Sequence, residues 1–155
     1  MRLAVQPLLS ASDPRRRAEG LEAELRITVP SDVRMIEEAV AVVTRHLEAS
    51  FVDLHTIRFN LRVALSEALV NAILYGNAED DAKGVAVRVL FGRHAIEMEV
   101  TDEGGGFDYR NLPDPTLPAN RLRPSGRGLF LIRQLVDEVR FNHTGNSICM
   151  ILRRA

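Results

Sequence analysis

The sequence predicts an α+β fold: a two-layer sandwich with about three helices on one face of a mixed, mostly antiparallel sheet. Two observations carry that prediction. Strand-like alternation comes mostly in hairpin pairs instead of alternating singly with helices. Each helical stretch also carries an apolar surface that must be buried against something, and a sheet face is the natural partner. At 155 residues the chain suits one domain with a tail and is too short for two sizeable cores.

The elements follow in order. Residues 1–20 hold Pro14 beside Arg15, Arg16 and Arg17 and show no apolar period, so they read as a mobile leader before a domain over residues 21–155. Leu21, Ala23, Leu25, Ile27 and Val29 alternate with polar residues up to Pro30, the pattern of a half-buried strand. Ser31 is placed to cap a helix, with Asp32 in its first turn and Ile36, Ala39, Val40, Val43 and Leu47 as one stripe. A second helix is expected over residues 53–75, stopped by Gly76. Val85, Val87, Val89 and Phe91, then Ile96, Met98 and Val100, make a hairpin. Residues 107–125 hold four of the seven prolines counting Pro124, and read as a long loop of the kind that serves as a lid. Gly126-Arg127-Gly128 then opens a third helix with Leu129, Ile132, Leu135 and Val136 inward. Two last strands, over 138–143 and 147–153, flank a turn at Gly145-Asn146.

Composition excludes several classes of function. A net charge of -1 gives no general affinity for nucleic acid or anionic membrane. No apolar run reaches the ~18 residues of a membrane span, and residues 1–9 do not make a signal-peptide core. The default location is the cytoplasm. The single Cys149 rules out an internal disulfide and a multi-cysteine zinc cluster. Of 20 basic residues only Lys83 is lysine, and no glycine-rich loop precedes it. A Walker A loop and a strand lysine of the eukaryotic kinase type are therefore both missing.

Three patterns could carry chemistry. Glu67 and Asn71 are four apart on the second helix and share a face, without a cation on that part of the face. Such a pair suits polarising a hydroxyl and ligating a hard cation, although an isolated Glu-x-x-x-Asn also suits a solvated edge. Asp102, with Gly104, Gly105 and Gly106, follows a strand directly. Asp102 could accept from an exocyclic amine while the glycines let a ligand approach, and the same residues could be a plain hairpin turn. Gly126-Arg127-Gly128 at a helix start offers unpaired amides and a positive dipole end for phosphate, with Arg127 a possible charged donor. A simple loop-to-helix junction would read the same way.

Taken together and in order, these motifs resemble the Bergerat-fold, histidine-kinase-like ATP-binding domain, and within it the small bacterial anti-sigma factor serine/threonine kinases. The resemblance runs over residues 21–153 and rests on Ser66-Glu67-Ala68, Asn71-Ala72-Ile73, residues 102–108 and Gly126-Arg127-Gly128-Leu129. It implies Glu67 as general base, Asn71 as the Mg²⁺ ligand and Asp102 as the acceptor for the adenine amine of ATP. Gly104 and Gly106 would shape the adenine pocket, and Gly126 and Gly128 would hold the lid end and the phosphates. Ser147 falls where the wider fold often places a hydroxyl near the adenine-binding aspartate. Tyr75 departs from the pattern, standing where the family often has histidine. The implied activity is transfer of the ATP γ-phosphate to a small anti-anti-sigma protein, with a sigma factor as second client and a homodimer as the assembly. The alternative is a nucleotide-dependent sequestration module without significant kinase activity. A histidine kinase catalytic domain is less well matched, since His46 and His55 lie on or beside the domain's own helices.

Overall fold

The computed structural model describes residues 2–10, 20–50, 55–106 and 124–154. The proposed lid over 107–123 and the arginine-rich part of the leader, 11–19, lie outside these residues. In chain order the elements are β1 (Ala4–Ser10), β2 (Leu21–Pro30), α1 (Ile36–Ser50), α2 (His55–Asn71), β3 (Gly84–Gly92), β4 (Ala95–Thr101), α3 (Pro124–Leu135), β5 (Glu138–Phe141) and β6 (Ser147–Arg153). The six strands form one sheet in the order β1-β2-β3-β4-β6-β5. All five neighbouring pairs are antiparallel, so the sheet is not mixed.

Period-two alternation decides which sheet face is buried. Leu25, Ile27 and Val29 of β2, Val85, Val87, Val89 and Phe91 of β3, and Ile96, Met98 and Val100 of β4 all point into the core. The helices close over them with Ala39, Val43 and Leu47 of α1, Leu61, Leu65 and Leu69 of α2, and Ile132 of α3. Each fully buried aliphatic chain contributes roughly 1.5–3 kcal/mol relative to exposure. The other sheet face carries charge, with Arg26 and Arg88 reaching Glu24 at 2.9 and 3.0 Å. Among the described residues no helix is long and apolar enough to cross a membrane.

Three local features differ from the sequence reading. Residues 4–10 form an edge strand where no element was expected, because pairing with β2 supplies the order that a weak apolar pattern could not reveal. Asp32, not Ser31, caps the turn that leads into α1, accepting from Arg34 N at 2.9 Å. Ser31 is buried and donates instead to the carbonyl of Lys83 at 2.6 Å. The predicted second helix divides: α2 ends at Asn71 and Ala72–Gly76 continue as a single wide π-helical turn. Such turns often mark functional sites, since the extra residue redirects the side chains that follow.

Candidate functional site

The wide turn delivers Gly76 against the end of β4. A methyl group on Gly76 would overlap the Asp102 carboxylate, and one on Gly104 would overlap the carbonyl of Gly76. Both positions must be glycine for the two segments to meet this closely. Gly104→Ala should therefore lower stability by about 1–3 kcal/mol, the usual cost of overpacking, read as a fall in the denaturant midpoint with the slope unchanged.

Between the turn, β4 and β6 lies a pocket of about 170 Å³. Ala68, Ala72, Val100, Leu129 and Ile148 supply apolar walls, and Asn71, Tyr75, Asp102, Asn146 and Ser147 supply polar groups. A mainly apolar cavity with a few convergent polar groups is what a small-molecule site requires. Asp102 Oδ1 accepts from Gly104 N at 2.7 Å, and no described group is bonded to Oδ2. Burial pushes the Asp102 carboxyl above the usual aspartate range, against the opposing pull of the Gly104 amide and of Lys83. Ser147 and its register partner Thr101, the residue before Asp102, share a hydroxyl hydrogen bond of 2.7 Å, and Ser147 and Asp102 line the same pocket. Gly106, at φ 84° and facing the Thr144 carbonyl, closes the same end of the pocket.

The helical end of the site is built by α2 and α3. A Cβ placed on Gly128 would stand 3.0 Å from Asn71 Nδ2 and 3.1 Å from Glu67 Oε2. Both side chains thus converge on one point of the α3 backbone. Asn71 lines the pocket, whereas Glu67, one turn earlier, does not. The helix opens at Pro124, two residues before the predicted start, with proline in its favoured first position. Gly126 is then in the first turn, where amides are free to bind an anion. Gly128 is the fifth residue, where an amide normally bonds within the helix, so what Gly128 offers is space for Glu67 and Asn71. Arg127 is exposed.

Asn71 and Glu67 are hard oxygen donors on neighbouring turns. Among the described residues no three acidic, cysteine or imidazole side chains gather into a metal cage. Two such oxygens could hold Mg²⁺, which is usually bound by one or two protein oxygens together with phosphates and waters.

The sequence model of the histidine kinase-like ATPase domain matches residues 29–152. The chain belongs to that family. Within the histidine kinase-like ATPases, it is 34% identical over 98 residues to the serine-protein kinase RsbW of Bacillus subtilis (strain 168), covering 59% of this chain and 61% of the relative. The RsbW of Oceanobacillus iheyensis is 35% identical over 92 residues, 54% of this chain and 57% of the relative. That of Bacillus thuringiensis (strain Al Hakam) is 27% identical over 129 residues, 77% and 76%. The match thus spans about three fifths of the first two relatives and three quarters of the third.

Sequence reasoning missed two residues that hold the Asp102 loop beside this pocket. Asn77 is 1% exposed and accepts from Glu103 N at 2.7 Å. Asn146 donates from Nδ2 to the Asp102 carbonyl at 3.0 Å, and its own carbonyl accepts from Asp102 N at 2.9 Å. An asparagine in a turn is so common that neither carried a signal.

Proposed function

We propose that the chain is an ATP-dependent serine/threonine protein kinase of the anti-sigma factor type, with residues 21–155 as its working domain. Its acceptor would be a small anti-anti-sigma protein, with a sigma factor as the client it sequesters. Action as a cytoplasmic homodimer with Mg²⁺ belongs to the same reading, and no direct contact with nucleic acid or membrane is needed. One observation carries the proposal: one pocket holds an aspartate, with an oxygen to which no described group is bonded, at one end and Asn71 at the other, and Glu67 stands one helical turn from Asn71, outside the lining. The relatives named serine-protein kinase support the choice of acceptor group.

In this reading the Asp102 carboxylate accepts from the exocyclic amine of adenine, and the apolar walls hold the ring. Asn71 holds Mg²⁺, which offsets phosphate charge when bound. The free amides of the first turn of α3, Gly126 among them, face the phosphates. The bond between the γ-phosphorus and the ADP oxygen breaks as a bond to the acceptor hydroxyl oxygen forms. Glu67 takes the hydroxyl proton. Phosphoryl transfer asks chiefly for such positioning and charge stabilisation.

Asp102→Asn should weaken ATP and ADP binding by about tenfold or more, because a donor amide partly replaces an acceptor oxygen. The raised Asp102 carboxyl adds a sign. The ionised form is the better acceptor, so affinity should fall on acidification and begin to fall at a higher pH than ordinary aspartate ionisation would give. Calorimetric titration of the full chain with ADP, across pH, measures both. No nucleotide binding at any pH would sink the reading.

A further inference from the structure

We propose that Asn77 is a positioning residue that sets the base selectivity of the pocket by holding Asp102 in register. The inference rests on the nucleotide reading above and deepens it.

Asn77 follows the wide turn, and its side chain crosses to the Asp102 loop, which is distant in sequence. Its Oδ1 accepts from Glu103 N at 2.7 Å, while Nδ2 donates to Ser31 Oγ at 3.0 Å and to the Gly84 carbonyl at 3.1 Å. Ser31 Oγ in turn donates to the Lys83 carbonyl at 2.6 Å, and Glu103 Oε2 accepts from Gly84 N at 2.6 Å. One amide orientation satisfies all three partners of Asn77, since its oxygen faces an N–H and its nitrogen faces a carbonyl and a hydroxyl oxygen. At 1% exposure water cannot replace these bonds, so losing one costs the full desolvation of its partner.

These bonds grip the peptide after Asp102. Asn146 grips Asp102 from the other side, with its carbonyl on Asp102 N and its Nδ2 on the Asp102 carbonyl. With Oδ1 committed to Gly104 N, and Gly76 and Gly104 pressed close by, the carboxylate presents Oδ2 as a fixed acceptor.

A fixed acceptor discriminates between purines. A base with an amine at the six position donates to it, and a base with a carbonyl there sets oxygen against oxygen. If the loop loosens, the carboxylate can turn towards water, which weakens the first interaction and relieves the second.

The experiment compares ADP with inosine diphosphate, which differs at that position, by calorimetry on the full chain. The unmutated protein should prefer ADP. Asn77→Ser should lower the ADP-to-inosine-diphosphate affinity ratio about tenfold, the scale of one buried hydrogen bond. A loss of folded protein would reduce both apparent affinities alike and leave the ratio unmoved. Glu103→Ala, at an exposed residue, frees the same loop from Gly84 and should shift the ratio in the same direction. It decides the matter alone if Asn77→Ser does not fold. A normal ratio in the variant that folds, beside a clear preference in the unmutated chain, overturns the role of Asn77. No preference in the unmutated chain overturns the adenine assignment of Asp102 and this inference with it.

Discussion

Glu67→Ala should leave nucleotide affinity close to that of the unmutated chain while phosphoryl transfer falls by about 10²-fold or more, the usual scale for a lost positioned base. The geometry explains why the two quantities separate. Glu67 stands outside the pocket lining, one helical turn beyond Asn71, so removing its carboxylate takes nothing from the base contact or the apolar walls. Folding should survive as well, because alanine is the strongest helix former and Glu67 is only half-buried. The measurement is a pair: ADP affinity, and single-turnover transfer from labelled ATP to the purified acceptor protein. Unchanged transfer in the variant would remove Glu67 from the mechanism. No transfer by the unmutated chain, with an acceptor shown to bind it, would favour the sequestration module instead.

The fold was legible wherever burial was one-sided. β2, β3 and β4 alternate so regularly that their inward residues are readable from spacing alone: the structure buries Leu25, Ile27 and Val29 of β2 and the inward residues named for β3 and β4, with Ala23 partly buried. β1 was not legible, since an edge strand has one neighbour and a thinner apolar pattern, and the pairing with β2 is a long-range contact. The site shows the same division. Glu67, Asn71, Asp102 and the glycines stand out in the sequence because each sits at a spacing that chemistry restricts. Asn77 and Asn146 were not, because their value lies in contacts with loops far along the chain. The wide turn at Ala72–Gly76 was hidden for a related reason. Local propensity favours a continuous helix there, and the redirection comes from packing Gly76 against Asp102.

Asn71→Ala should bring transfer down by about 10²–10³-fold, the scale of losing a group that stabilises developing charge, and here binding should change too. Asn71 lines the pocket and faces α3 at the point where Glu67 also arrives, which in the proposed mechanism is the phosphate end, away from Asp102. The affinity lost should be the magnesium-dependent part alone. With excess chelator, the variant and the unmutated chain should bind ADP alike, through Asp102 and the apolar walls. With Mg²⁺ present, only the unmutated chain should tighten. Asn71→Asp keeps an oxygen in place and adds charge, so it should retain a magnesium response that Asn71→Ala lacks. Titrating ADP into all three proteins, with Mg²⁺ and with chelator, reads these effects directly. If Asn71→Ala kept the normal magnesium response, the metal would be held elsewhere, and Asn71 would serve only to shape the wall between α2 and α3.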